Sequence, residues 1–210
     1  MSRIIAGIAG GVPLSAVPGT ATRPTTDRVK EALFSRLDAL GMLSHARVLD
    51  LYAGSGALGV EAASRGASTV ELVEADAKAA HVCERNARTV NEAVGRRAVT
   101  VRRSKVSAFL ERVPPGAHWD LVLMDPPYPL GEEQLASVLE AVASRLAPDA
   151  LVVVERSARS PEPVWPAGLA HFAERKYGET RLWFAEPVAQ AESPGAEMRE
   201  AAPGGGRHGV

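Results

Sequence analysis

Three glycines with a fixed spacing lie in the segment 50–59, which reads DLYAGSGALG. Gly54, Gly56 and Gly59 match the G-x-G-x-x-G pattern that follows a strand, opens a helix and lets the backbone approach a ligand closely. The pattern is shared by dinucleotide sites, so alone it leaves the ligand open, and a tight structural turn without a ligand is the third interpretation. The residues of this loop that we predict to bind a cofactor are Asp50, Tyr52, Ala53, Gly54, Ser55, Gly56 and Gly59.

Two acidic residues bear on the choice of ligand. Asp50 directly precedes the glycine turn, where a carboxylate would repel a diphosphate but attract a positively charged ligand. S-adenosyl-L-methionine carries a sulfonium and an ammonium and no phosphate, so Asp50 favours it and could hold the ammonium directly or through water. Glu74 ends the next predicted strand and is suited to accept hydrogen bonds from a ribose diol in either ligand class. A solvated charge near a helix cap is the alternative interpretation of Glu74.

The second chemical motif is the box Asp125-Pro126-Pro127-Tyr128, which follows the apolar run 121–124. The two prolines fix the backbone and remove two N–H donors, so the box presents acceptors beside an aromatic ring. The Asp125 carboxylate and the Pro126 carbonyl could grip the hydrogens of an exocyclic base amino group, while Tyr128 stacks on an extruded base. Asp125 is the candidate to receive the released proton. A proline-rich turn with Tyr128 in a packing role is the alternative.

These motifs require elements that bring the ends of several strands together. Apolar runs alternate with helical periodicity from residue 47 onward, which predicts a parallel sheet with right-handed crossovers. Around Gly178 two strands follow each other directly, which predicts an antiparallel hairpin. The predicted strands cover 47–51, 69–73, 99–102, 119–124, 151–154, 170–177 and 180–185, and the predicted helices cover 57–65, 76–91, 104–111 and 132–146.

The sequence therefore predicts an α/β, Rossmann-like fold of the S-adenosyl-L-methionine-dependent methyltransferase type, with a mostly parallel seven-stranded sheet ending in an antiparallel hairpin. We divide the chain into an N-terminal extension (1–46), a methyltransferase domain (47–186) and a disordered tail (187–210) of Ala, Glu, Gly and Pro. In the extension, a short apolar start could form a hairpin or edge strand, and Asp27 is a candidate N-cap of a helix that Gly41 stops. Leu146 is predicted on the apolar face of helix 132–146, with a turn at Pro148-Asp149.

Composition excludes several classes of protein. The net charge of −1 provides no global basic field for nucleic acid, so any RNA contact must come from local basic patches. The single cysteine excludes a disulfide framework, and the five histidines show no metal-ligand spacing, so we expect no metal. The apolar start is too short for a signal peptide, no run is long enough to span a membrane, and a single cysteine fits a reducing cytosol, so we expect a cytoplasmic protein. We also expect a monomer.

With these motifs in place, the chain resembles the bacterial 16S rRNA guanine-N2 methyltransferases of the guanine-966 type. The resemblance spans about residues 3–186 and includes the glycine loop and the Asp125 box, which many amino-methyltransferases share. Its discriminating parts are the segments Arg3–Gly7 and Arg23–Phe34, and Tyr177–Thr180 also fits.

The resemblance implies methyl transfer from S-adenosyl-L-methionine to the N2 amino group of one guanine in 16S rRNA, within the small subunit or its assembly intermediate. In similar enzymes the Arg-Pro-Thr-Thr segment covers the cofactor and helps to form the active site. The resemblance therefore places Thr26 near the cofactor and gives a substrate-binding set of Arg3, Arg23, Thr25, Arg28, Pro127 and Tyr128. Ser104 stands where many methyltransferases carry an acid that binds the adenine amino group, and a hydroxyl accepts more weakly than a carboxylate.

Three other functions remain open from the residues alone. A DNA adenine-N6 methyltransferase can use the same Asp125 box, although the chain is short for a separate target-recognition domain. An NAD-dependent dehydrogenase could be built on the three loop glycines. A non-catalytic RNA-binding protein could keep the same fold.

Overall fold

A computed structural model describes residues 2–18, 27–116 and 118–188 of the chain. The described part contains five helices around one sheet of seven strands. The helices are α1 (Asp27–Ala39), α2 (Ala57–Ser64), α3 (Ala77–Ala93), α4 (Val106–Arg112) and α5 (Glu132–Ala143). The strands are β1 (Arg47–Leu51), β2 (Thr69–Glu74), β3 (Val99–Arg103), β4 (Trp119–Met124), β5 (Leu146–Ser157), β6 (Leu169–Tyr177) and β7 (Thr180–Pro187).

The strand order is β3-β2-β1-β4-β5-β7-β6. Strands β1 to β5 pair in parallel, whereas β7 is antiparallel to both β5 and β6. The prediction of a mostly parallel sheet that ends in an antiparallel hairpin is confirmed. The carboxyl ends of β1 and β4 lie side by side, since Leu51 pairs with Met124, and this register brings the glycine loop next to the Asp125 box.

The central strands are buried on both faces because helices cover each side of the sheet. Alternate residues of a strand point to opposite faces, so β1 contributes Val48 to one apolar cluster and Leu49 and Leu51 to the other. The first cluster also holds apolar residues of α1, α2 and α3, and the second holds those of α4 and α5. The two packed layers fix the sheet edge at which both motifs lie.

The N-terminal arm, defined here as residues 2–18, folds back on itself as a short hairpin-like loop. Ile4 donates to the carbonyl of Val12, and Arg3 and Pro13 form an antiparallel bridge. Ile4 and Leu14 are buried in the same cluster as the α1 side chains. A hairpin and an edge strand are the two predicted alternatives for the chain start, and the arm contains one isolated antiparallel bridge. The arm and α1 share their core with the sheet.

A buried polar cluster anchors the arm to α2. The carboxylate of Glu61, which has no exposed surface, accepts hydrogen bonds from the backbone N–H groups of Ile5 (2.7 Å) and Ala6 (3.1 Å) and from Nε of Arg65 (2.7 Å). The ammonium of Lys30, 2% exposed, lies 4.0 Å from the same carboxylate. Since α2 begins directly after the glycine loop, this cluster links the arm to the helix that carries the loop.

Two boundary predictions are wrong around residue 146. Helix α5 ends at Ala143, and Leu146, predicted on its apolar face, instead pairs with Trp119 as the first residue of β5. The pairing between β4 and β5 then shifts register and resumes at Leu121 with Leu151, so the predicted turn at Pro148-Asp149 is an irregular, exposed part of β5. An apolar residue at helical spacing has the same sequence signature whether it continues a helix or starts a buried strand.

The remaining boundaries differ by a few residues. Helix α4 begins at Val106, so Ser104 lies before it and not inside it as predicted. Helix α1 begins at Asp27, and the preceding Thr25 and Thr26 lie outside the described residues. The tail predicted from residue 187 is described only as far as Val188. Within the described ranges, none of the helices is long and apolar enough to cross a membrane.

Candidate cofactor and acceptor site

A cavity of about 900 Å³ opens at the carboxyl edge of the sheet. Gly54 and Ser55 of the glycine loop line it, and so do Glu74 at the end of β2 and Asp125 and Pro127 after β4. Apolar side chains of α4 and α5 form much of the remaining wall. The two motifs recognised separately in the sequence therefore face one common space.

A different structural feature explains the presence of glycine at each of the three loop positions. Gly59 packs so closely on β2 that an added Cβ would lie 2.2 Å from Cδ2 of Leu72. Gly56 has a left-handed backbone (φ +77°), and a Cβ there would lie 2.9 Å from Sγ of Cys83. Gly54 is also left-handed (φ +57°), but no atom lies within 4 Å of its Cβ position, so it presents bare backbone at the cavity wall.

Tyr52 enters the loop with a strained backbone. Its φ of +61° lies in the left-handed region, which is uncommon for residues other than glycine and recurs at binding sites. The side chain lines the cavity and packs against the apolar cluster of α4 and α5, and burial raises the pKa of its hydroxyl. Tyr52 therefore serves as a wall of the cavity and as part of the core at once.

Asp50 supports the glycine loop from below. The residue is 1% exposed, and its Oδ2 accepts a hydrogen bond from the Gly59 N–H at 2.9 Å. Burial raises the pKa of Asp50 to about 7, the Gly59 hydrogen bond opposes the rise, and the nearby carboxylates of Asp125 and Glu74 add to it. Asp50 is not among the residues that line the cavity, so the structure shows it holding the loop, and its predicted contact with an ammonium stays a prediction.

Glu74 ties the loop to the following helix. Its Oε2 accepts from the Gly54 N–H at 2.8 Å and its Oε1 accepts from the Asp76 N–H at 2.7 Å. Asp76 in turn caps α3, because its side chain accepts from the N–H groups of Lys78 and Ala79. Each oxygen of Glu74 has a second lone pair, so the carboxylate can still accept from a diol in the cavity.

Asp125 lines the cavity directly after β4. The residue is accessible to solvent, yet the protein surrounds its carboxyl group closely enough that desolvation raises its pKa above the ordinary value. Because the carboxylates of Asp125 and Glu74 raise the pKa of Asp50, the site brings acidic groups together, an arrangement that a cation would relieve. Next to it, Pro126 is buried, Pro127 lines the cavity, and the Tyr128 ring is on the surface at 69% exposure.

Some predicted site residues lie elsewhere. Ser104 does not line the cavity; its hydroxyl donates to the Lys105 carbonyl at 3.1 Å, while Lys105 itself lines the wall. Ala53 packs against the core below the loop. Arg3 and Arg28 are exposed residues outside the cavity wall, so neither is brought to it. The predicted residues Arg23, Thr25 and Thr26 lie outside the described residues.

Two residues near the site were not predicted from the sequence. Val17 of the N-terminal arm lines the cavity together with residues that follow the parallel strands. Asn86 on α3 is 2% exposed and contacts the glycine loop, although it lies outside every motif. A polar residue on the apolar face of a helix, between Val82, Cys83, Ala87 and Val90, was the available signal for Asn86. Among the described residues, no group of three His, Cys, Asp or Glu side chains could hold a metal ion.

The strand order, the terminal hairpin and the cavity define the fold of an S-adenosyl-L-methionine-dependent methyltransferase. The residues fit that cofactor, because the glycine turn exposes bare backbone at Gly54 and the surrounding acids favour a cation over a diphosphate. The model of the family described as Conserved hypothetical protein 95 matches residues 2–186, and the chain belongs to this family.

Two proteins named as ribosomal RNA methyltransferases and one solved structure are similar to most of the chain. Ribosomal RNA small subunit methyltransferase D of Haemophilus influenzae is 35% identical over 159 residues, which cover 76% of this chain and 80% of that protein. The protein of the same name from Escherichia coli K12 is 34% identical over 192 residues, covering 91% and 92%. The solved structure of the putative methyltransferase yhhF from Escherichia coli has a TM-score of 0.75 at 32% identity, covering 90% of this chain and 98% of that one.

Proposed function

We propose that the protein transfers a methyl group from S-adenosyl-L-methionine to the exocyclic N2 amino group of one guanine in 16S rRNA, of the guanine-966 type. The observation that carries the proposal is that the glycine loop and the Asp125 box line one cavity. A cofactor on the loop and a base amino group at the box would therefore meet inside it. The similarity to proteins named ribosomal RNA small subunit methyltransferase D supports rRNA as the class of substrate.

Each part of the cavity has a task in this reaction. The cofactor, when bound, supplies a methyl group on a positively charged sulfur. The loop at Gly54 and Ser55 and the carboxylate of Glu74 would hold it, while Asp50 keeps the loop in place through Gly59. Rate enhancement would come mainly from holding the acceptor nitrogen in line with the methyl group.

The acceptor side of the cavity handles an amino group that is a weak nucleophile. The Asp125 carboxylate and the Pro126 carbonyl would accept hydrogen bonds from the two N–H groups of this amino group, and the exposed Tyr128 ring would stack on the extruded base. A raised pKa makes Asp125 a better proton acceptor near neutral pH than an ordinary aspartate, so it can take the proton that the nitrogen loses.

A transfer assay with labelled methyl groups tests the proposal. The substrates are small ribosomal subunits that lack the modification, naked 16S rRNA and duplex DNA, and nucleoside analysis of the product identifies the methylated atom. We expect label in N2-methylguanosine from RNA and none in DNA. Label only in N6-methyladenine of DNA would replace this proposal with the DNA methyltransferase alternative.

The role of the box is tested separately. We expect Asp125→Ala to reduce transfer at least about 100-fold, within the range typical for loss of a positioned acid or base. The variant should still bind S-adenosyl-L-homocysteine, because the glycine loop and Glu74 are unchanged. Glu111→Ala, at another carboxylate of the same cavity wall, is the matched control. Transfer by Asp125→Ala at the rate of the unmodified protein would show that the chemistry assigned to the box is wrong.

A further inference from the structure

One side-chain amide joins the glycine loop to the N-terminal arm. Asn86 donates through Nδ2 to the carbonyl oxygens of Ser55 (2.8 Å) and Ser15 (3.0 Å), and its Oδ1 accepts from the Ser15 N–H at 2.9 Å. Both amide hydrogens and the amide oxygen are therefore engaged, and the side chain is 2% exposed. The contacts join segments that are 71 and 31 residues away from Asn86 in the sequence.

Both joined segments form walls of the cofactor cavity. Ser55 lies inside the glycine turn and lines the cavity directly. Ser15 lies two residues before Val17, which lines the cavity from the arm. A displacement of either segment would therefore change the shape of the space that receives the cofactor.

The glycine turn needs such support because of its backbone. Tyr52, Gly54 and Gly56 all have left-handed φ values within five residues, a conformation that costs energy at Tyr52 and entropy at the glycines. From α3, Cys83 packs under Gly56 and Asn86, one turn later on the same face, bonds to Ser55. Helix α3 therefore supports the turn through one apolar and one polar contact.

We propose that Asn86 is a positioning residue for the cofactor site, which holds the glycine loop and the N-terminal arm in one fixed arrangement around the cavity. This inference rests on the proposed function, because it takes S-adenosyl-L-methionine as the ligand of that cavity. Without the amide, loop and arm must be ordered when the cofactor binds, and the cost of ordering reduces affinity.

The same helix offers a matched control. Asn91 clamps a backbone in the same manner, with Nδ2 donating to the Val99 carbonyl at 2.9 Å and Oδ1 accepting from the Val99 N–H at 2.8 Å. Val99 is the first residue of β3, at the amino end of the sheet, so this clamp lies at the edge away from the cofactor cavity. Asn91→Ala thus removes an equivalent clamp without touching the loop or the arm.

Calorimetry with S-adenosyl-L-homocysteine on the full chain measures the effect. We expect Asn86→Ala to raise the dissociation constant about tenfold, equivalent to about 1.4 kcal/mol, and Asn91→Ala to change it less than about twofold. Asn86→Asp has the same shape but places oxygen against the Ser15 and Ser55 carbonyls, so it should lose at least as much affinity. In transfer assays both Asn86 variants should raise KM for S-adenosyl-L-methionine about tenfold, with kcat changed less than about threefold.

Thermal unfolding of the same samples separates positioning from folding. A loss of affinity at 15 °C, well below the unfolding midpoint of each variant, cannot come from unfolded protein. The inference is overturned if Asn86→Asp binds like the unmodified protein, or if the alanine variants at 86 and 91 lose equal affinity. Cofactor binding without rRNA methylation would refute the proposed acceptor and leave the inference standing, whereas no binding by the unmodified protein would overturn both.

Discussion

The buried carboxylate of Glu61 gives a sharp prediction about the stability of the fold. Glu61→Gln preserves the shape of the side chain but turns one accepting oxygen into an NH₂ group. In the native protein both oxygens accept, one from Ile5 and the other from Ala6 and Arg65. The new NH₂ group must therefore face a donor, and at least one buried N–H loses its partner.

The size of the effect follows from burial. Glu61 has no exposed surface, and the cations near it, Lys30 and the side chain of Arg65, are 2% and 9% exposed. Removing one partner of a buried ion pair costs about 3–5 kcal/mol, because the remaining charge stays desolvated. For a chain of this length about 1 kcal/mol corresponds to about 2–4 °C, so the unfolding midpoint should fall by about 6–20 °C.

Asp38→Asn is the matched control. Asp38 binds the same guanidinium of Arg65 at 2.7 Å, but it is 50% exposed, and an exposed ion pair contributes about 0–1 kcal/mol. Its midpoint should therefore fall by at most about 4 °C.

Circular dichroism during heating gives the thermal midpoints of the two variants. Urea denaturation gives their free energies of unfolding from the denaturation midpoint and the m value. If Glu61→Gln and Asp38→Asn differ by less than about 1 kcal/mol, the buried carboxylate does not hold the arm on α2. The anchoring of the arm would then have to come from its other contacts, which include the apolar contacts of Ile4 and Leu14 and the hydrogen bonds of Ser15 with Asn86.

Further predictions concern the cavity. Gly59→Ala should destabilise the fold by about 1–3 kcal/mol in urea denaturation, because its Cβ would lie 2.2 Å from Cδ2 of the buried Leu72. Gly54→Ala should cost about 1–2 kcal/mol for its left-handed backbone and weaken S-adenosyl-L-homocysteine binding in calorimetry; unchanged affinity would remove Gly54 from the cofactor site. Tyr128→Ala should raise KM for RNA about 5- to 150-fold, since stacking on one base is worth about 1–3 kcal/mol, and an equal rise in Tyr128→Phe would rule out stacking. Raising the pH from about 6 to about 8 should lower the unfolding free energy of the cofactor-free protein. Near pH 6, folded Asp50, with a pKa of about 7, still holds a proton that the unfolded carboxyl, with a pKa of about 3.9, has already released. The stability that this proton provides is lost as the pH rises through the pKa of the folded state. Asp50→Asn should flatten this slope in urea denaturation, and an unchanged slope would assign the proton to another group.

Much of the fold could be predicted because its signals are local. The strands β1, β2 and β4 are short, largely buried apolar runs followed by the residues of the site, which leaves little ambiguity in them. The prediction failed where two elements follow each other without a polar interruption. Leu146 continues the helical spacing of α5, and only its pairing with Trp119 in the folded sheet makes it a strand residue.

The site divides in the same way. The glycine loop and the Asp125 box are each one continuous segment of the chain, so residue types and spacing were enough to predict them. The contacts of Asn86 with Ser15 and of Glu61 with Ile5 join residues 71 and 56 positions apart, and no periodicity in the sequence encodes such pairs. Val17 likewise lines the cavity as part of the N-terminal arm, which contacts the rest of the fold through residues distant in sequence such as Asn86 and Glu61.

Cys83 under the glycine loop makes the protein its own reporter of local motion. It is the single cysteine of the chain, it is fully buried, and burial and the neighbouring carboxylates raise the pKa of its thiol. Only a thiolate reacts with an alkylating reagent at a useful rate, so the closed protein is inert until the loop or α3 moves away. The rate of alkylation therefore reports how often the loop opens, and a bound ligand that lowers this rate keeps the loop closed.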